Sequence, residues 1–485
     1  MDKETLSKYG WVVIMIIILV ILMGFASSFG LFVADSVEAT WNSLSVSRPF
    51  SDHLGIYSEE KLEDIVEKCE YYYGALHLAV ADISNGEIGA NATVSKENAV
   101  AGVYTDENGI PVAALLKDSV EDTKTAPYID MIIKLTGNTL SVNGGVAIDV
   151  YGGNVTIDGR VKGSSIVMDY DTNIGRCIQT RTPESLTVLG GKYVINSICA
   201  NNSAAIFTAC DTYIDNITIS VNSDSPNYIY GVWAPNHNAI TIKNSEITVM
   251  GETPHVYGVK LTPSTAMVSN CNIYAASPYL PVDDMSGYAY CSHGLTANSG
   301  NTTVKNCNIT GSLAAVDVTN AGLFVDGGTY SGYGHGGFYL IGDEANPAYI
   351  YNATLVNLDE NPGGYETLEE MTNEAGIYIG GSNSVDTPSS FNFITYMDNC
   401  KILNTRQAIV IRGTVGEAGH RVYVSNININ DDSYIRIDSD THKLFVGENC
   451  NFDNDDYRVN STTVLTPEQM AQRVEFTNEN YKVSP

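Results

Sequence analysis

Lys260, Asp317, His335 and Asp343 are the residues of this sequence whose types suit acid–base chemistry, and they share a stretch with Trp233, Tyr339 and Tyr378. A β-elimination needs a base for the proton and a cation for the substrate carboxylate, and Lys260 is the nearest candidate for either part. Hydrolysis needs paired carboxylates, and Asp317 and Asp343 are the candidate acids. Aromatic faces flanked by polar groups suit sugar rings, so Trp233, Lys260, Asp317, Tyr339 and Tyr378 are the expected ligand-binding set. None of these residues sits in a motif that fixes a reaction. His-Glu-x-x-His, Cys-x-x-Cys, phosphate-loop and Gly-x-Ser-x-Gly patterns are all absent, and no metal ligand set is expected.

What must position these residues is a repeat. Aligning the chain on Asn216, Asn244, Asn270, Asn306, Asn352, Asn399 and Asn426, with Gly190 and Gly327 in the same slot, places an apolar residue two before and three after each. The copies lie roughly 26 residues apart, with long steps before Asn306 and Asn399. Alternation on both sides of an Asn or Gly predicts two short strands meeting at a corner, because these residues tolerate a left-handed backbone. A third strand precedes each pair, as in Gly258-Val259-Lys260-Leu261 and Gly337-Phe338-Tyr339-Leu340. Three strands and three turns make one coil, so the expected fold is all-β, a parallel β-helix solenoid of about 11 coils starting near Val146.

The corner Asn, the stacked apolar residues and the Gly-led strand resemble the right-handed, pectin-lyase-like β-helix proteins over residues 110–460. That scaffold serves lyases, hydrolases, adhesins and phage fibres, so the resemblance implies the fold and leaves the activity open. It also implies where to look, since polysaccharide-active members bind along the face of the strand that leads each coil. Alternation predicts that Gln179, Phe207, Trp233, Lys260, Thr296, Asp317, Tyr339, Tyr378, Val410 and Arg436 form one solvent-facing ladder there. Insertions at 277–291 and 356–375 leave from one edge and are expected to wall a cleft lined by Asp317, Tyr339, Asp343 and Tyr378, with Lys260, His293 and His335 at its margins.

Charge narrows the partners. The chain has 26 Lys plus Arg against 56 Asp plus Glu, a formal charge of −30, which disfavours nucleic acid. No cofactor is expected; Ca2+ is suggested only by Asn430-Asp431-Asp432 and Asp453-Asn454-Asp455-Asp456, which lack the spacing of a known calcium loop. Four of the nine cysteines, Cys271, Cys307, Cys400 and Cys450, follow the corner slot, where stacked buried thiols are expected rather than a disulfide framework.

Residues 1–34 hold an apolar run with Lys3 and Lys8 before it and Asp35 after it. This reads as a transmembrane anchor with a cytoplasmic N-terminus, or alternatively as a signal peptide of a secreted protein. Residues 35–74 read as a stalk and an N-terminal cap helix, 75–460 as the β-helix, and 461–485 as a C-terminal cap helix and tail opened by the box Thr466-Pro467-Glu468-Gln469. The expected function is a cell-surface protein that binds a carbohydrate or cell-surface partner through the aromatic face. A polysaccharide lyase or glycoside hydrolase is the alternative, and a structural envelope subunit the second.

Overall fold

Asn216, Asn244, Asn270, Asn306, Asn352, Asn399 and Asn426 all hold φ between 50° and 56°, and Gly190 and Gly327 occupy the same slot at 61° and 76°. A left-handed residue between two strands turns the chain sharply, so Ala239–Lys243 and Glu246–Gly251 meet at Asn244 as two edges of a coil. The coils stack: the Asn270 amide donates to Asn244 Oδ1 (3.2 Å), Asn399 to Asn352 (2.7 Å) and Asn449, a further corner at φ 54°, to Asn426 (2.8 Å).

In this computed structural model the described residues are 62–483, apart from 74–75, 86–93, 126–128, 171–173, 182, 198–201, 225–226, 237, 254, 278–291, 334–335, 343, 359–374, 381–391, 413–418, 431, 454–455 and 461. All belong to the unit Ser58–Pro485. The expected anchor, the stalk, His335, Asp343 and most of the two insertions lie outside the described residues. Among the described residues no helix is long and apolar enough to cross a membrane.

The chain is almost all β. One sheet of 13 strands collects the Gly-led strand of each coil, and a second of 25 strands collects the strands on either side of the corners. Each strand of a coil pairs in parallel with its counterpart one coil on, as Ile242↔Val268 and Val268↔Val304. The topology fits a β-helix solenoid. It has 13 rungs on the first sheet where about 11 were expected, because Thr123–Lys124 and Tyr457–Arg458 add two-residue rungs too short to show alternation. The apolar residues two before and three after each corner, such as Ile242, Ile247, Val268 and Val304, are fully or almost fully buried in one continuous core.

Small donors fill the slot after several corners, namely Ser245, Cys271, Cys307, Cys400 and Cys450. The Cys400 thiol donates to Ile350 O (3.3 Å) and Asp398 O (3.4 Å), Cys307 to Lys305 O (3.2 Å), and Ser245 Oγ to Lys243 O (2.6 Å). The carbonyl before the corner also accepts the corner amide of the preceding coil, as Asn216 N on Lys243 O (3.1 Å) and Asn270 N on Lys305 O (2.9 Å), so the thiol or hydroxyl takes its second lone pair. The seven described cysteines are all free thiols.

Three short helices accompany the sheets. α1 (Leu62–Lys68) lies where a helix was predicted and buries Ile65. α2 (Leu76–Ser84), which the weak alternation of this region concealed, buries Leu76, Ala79, Val80 and Ile83 in the core beside the antiparallel strands Ala101–Thr105 and Pro111–Leu115. α3 (Pro467–Arg473) has its capping box formed by Thr466 and Gln469, and Arg473 is buried against Asp440 and Ile437 O. Val474–Phe476 then adds a rung on Lys443–Val446. Residues 477–483 run back across the coils: Asn480 reaches Glu448 (2.9 Å), Tyr481 N donates to Ser425 Oγ (3.0 Å), and Val483 N donates to the Tyr351 hydroxyl (3.0 Å).

Candidate functional site

Gly258 shows how the first sheet presents its outer face. A Cβ there would lie 2.3 Å from Ile273 Cγ2 and 2.5 Å from Gly294 O, so the backbone presses against the core and no other residue fits. Gly231 and Gly294 stand in the same relation to Ile247 and Ile309. The residue before each glycine and the residue two after it are then the ones that face outward, in two columns.

The outer column is the expected ladder, in register throughout: Gln179↔Phe207↔Trp233↔Lys260↔Thr296↔Asp317↔Tyr339↔Tyr378↔Val410↔Arg436. Its exposure differs from expectation. Tyr339 and Tyr378 are 7 % and 1 % exposed and stack on each other at 5.1 Å, within a small cluster that includes Ala314, Ala375 and Val410. Gln179 and Thr296 are buried as well. Parallel stacking sets like rings within van der Waals distance, so adjacent aromatics cover one another. The part that stays partly exposed is Phe207, Trp233 and Lys260, with Asp317 two rungs on and Arg436 at the end of the column.

The second column went unread in the sequence, although Tyr230-Gly231, Tyr257-Gly258 and His293-Gly294 repeat it visibly. It runs Arg176↔Ala204↔Tyr230↔Tyr257↔His293. Trp233 stacks on Tyr230 (4.7 Å) and meets Phe207 edge-on (4.9 Å). The Lys260 ammonium lies 4.3 Å from the Tyr257 ring centre and 5.5 Å from that of Tyr228. Burial pulls the Lys260 pKa down, and the charge of Asp317 partly opposes it. Because Ala204 is small, Arg176 leans across it and sets its guanidinium 4.1 Å from the Phe207 ring centre and 5.7 Å from that of Trp233.

Beside this patch His293 Nδ1 sits 3.1 Å from Asp317 Oδ2 and 3.3 Å from Thr296 Oγ1, while its buried Nε2 has no hydrogen-bond partner among the described residues. The structure therefore brings together Trp233 and Lys260, and sets Asp317 with His293; Tyr339 and Tyr378 follow on the next rungs but are covered. His335 and Asp343 fall outside the described residues. Among the described residues no group of three His, Cys, Asp or Glu side chains is placed to hold a metal ion. Chemically, the patch offers aromatic ring edges and faces, two cations, and an imidazole oriented by a carboxylate. No family model, curated protein or solved structure matches the chain.

Proposed function

We propose that this chain is a surface-displayed β-helix protein of the right-handed, pectin-lyase-like kind, tethered through residues 1–34, which binds glycans through the first-sheet face around Trp233 and Lys260. The observation that carries the reading is the partly exposed run Phe207, Trp233 and Lys260, held on adjacent rungs by the register and backed by Tyr228 and Tyr230. Rings fixed in this way lose little entropy on binding, and polar groups at their edges meet sugar hydroxyls. The test is retention of the chain on immobilised polysaccharides. Trp233→Ala is expected to lower retention about tenfold with the thermal transition preserved; unchanged retention would sink the proposal.

A second reading, a polysaccharide lyase or glycoside hydrolase, is favoured by the His293–Asp317 pair, because a carboxylate that fixes one imidazole nitrogen leaves the other as a base. New reducing ends or unsaturated products, lost in Asp317→Asn, would support it.

A further inference from the structure

The sequence contains eight Asn-x-Ser/Thr triplets, the pattern that enzymes of the export pathway glycosylate. Those at Asn91 and Asn201 lie outside the described residues, which leaves six. A triplet can be modified only where its asparagine amide and the hydroxyl two residues on can be gripped together, and that needs a bent, accessible backbone.

Five of the six are held in the coils. Asn154 opens the strand Asn154–Gly159, and Asn301 and Asn308 lie in Asn301–Gly311; both strands pair on either side. Residues two apart in a strand stand ~7 Å from each other, too far for the threonine hydroxyl to reach the asparagine. The Asn154 amide is bound to Asp130 (3.0 Å) and that of Asn308 to Asn272 (3.0 Å). Asn216 and Asn352 are corners, fixed at φ 56° and 55°, with their backbone N–H groups on Lys243 O (3.1 Å) and Asp398 O (3.0 Å) of the next coil.

Asn460 differs in each respect. Tyr457–Arg458 is the last rung of the first sheet, and the chain then turns back on itself: Val459 N donates to Thr463 O (2.8 Å), and Arg458 bridges Val464 in antiparallel fashion. Asn460, Thr462 and Thr463 are all exposed. Asn460 Oδ1 accepts from Thr462 Oγ1 (3.1 Å), Thr462 N (3.0 Å) and Thr463 N (2.9 Å), while the amide nitrogen has no hydrogen-bond partner among the described residues. Asparagine and hydroxyl are thus already together on an exposed bend, and the nitrogen is left to react.

We propose that Asn460 is the N-glycan acceptor of the folded chain. The donor is an oligosaccharide linked to a lipid pyrophosphate. The Asn460 amide nitrogen bonds to the anomeric carbon, the bond from that carbon to the pyrophosphate oxygen breaks, and its electron pair leaves with the lipid pyrophosphate. One amide proton passes to a base of the transferase, and nothing is oxidised or reduced. The setting of this reaction in the cell rests on the export part of the functional reading; the acceptor itself does not depend on what the first sheet binds.

The test offers the folded full chain to a purified oligosaccharyltransferase with its lipid-linked donor and maps the six described triplets by glycopeptide mass. A strand must open locally before its triplet can be gripped, so occupancy at Asn460 should exceed that at each of the other five by about tenfold or more. Asn460→Gln and Thr462→Ala should abolish the added mass, Thr462→Ser should keep it, and Asn308→Gln should leave it unchanged, with thermal melts confirming that each variant is folded. No transfer to Asn460, or equal transfer to a triplet within the coils, would overturn the proposal. The full chain, residues 1–34 included, is then made in cells with a glycosylating secretory pathway. A glycan on Asn460 there supports the proposal and the export reading together; acceptance in the purified reaction with none in cells upholds the acceptor and removes the export reading.

Discussion

Asn270 holds φ 52° and passes its amide to the coil before, so its side chain does two things that few residues do together. Asn270→Gly keeps the backbone and loses the bond; Asn270→Val keeps neither. Urea unfolding should show a loss of about 1 kcal/mol for the first and about 2–3 kcal/mol for the second. His420 carries a different vulnerability. Phe393 N donates to His420 Nδ1 (3.2 Å) and His420 N donates to His442 Nδ1 (3.2 Å), so each imidazole is held neutral, and the rings stack at 4.9 Å. Burial first, and His442 second, lower the His420 pKa to about 3. With the folded value below the ordinary 6.5, the unfolded chain takes up the proton first. The stability that neutral His420 supports is complete above pH 6.5 and drains away as pH falls towards 3. Melting curves from pH 7 to pH 4 should drop, and His420→Gln should flatten that slope.

At the scale of elements, α3 is fixed by local chemistry that any reader of the chain can find. Thr466→Ala removes the cap and should cost about 1 kcal/mol, seen as a lower denaturant midpoint with an unchanged slope. α2 was hidden because Leu76, Ala79, Val80 and Ile83 have helical spacing in a segment without a cap or acidic first turn. A second element also went unread. Tyr349, Tyr396 and Tyr423, each three residues before its corner, and Phe445, four before Asn449, stack in turn at 5.2, 4.8 and 4.5 Å on the outside of the second sheet. Their faces are spent on one another, so this stack serves the coils. Tyr396→Ala should destabilise the fold by about 1–2 kcal/mol, with Tyr396→Phe near neutral, by thermal unfolding.

For the molecule as a whole, the coil was legible because it depends on a rule repeated at every turn: an αL residue and apolar residues at fixed offsets on either side of it. One copy, such as Ile240 to Ile247, contains the rule, and the parallel register follows from copying it. The candidate site was legible in part. Lys260, Trp233 and Asp317 were found by alternation, whereas the burial of Tyr339 and Tyr378 depends on neighbours that alternation does not describe. Arg176 was missed because its reach onto Phe207 needs Ala204 to be small on the adjacent rung, a relation between residues far apart in sequence.

Residues 477–483 give the solenoid a property that stacking alone would not. A spiral of equal turns frays from its end one turn at a time, each turn leaving as its neighbour goes. Here a lashing ties the turn of Asn449 to those of Asn426 and Asn352 through Glu448, Ser425 and Tyr351, so none of them can peel off singly. Amide hydrogens in Lys443–Val446, Arg421–Ser425 and Ala348–Tyr351 should therefore exchange with one shared opening energy, and in Tyr351→Phe that block should split into separate steps.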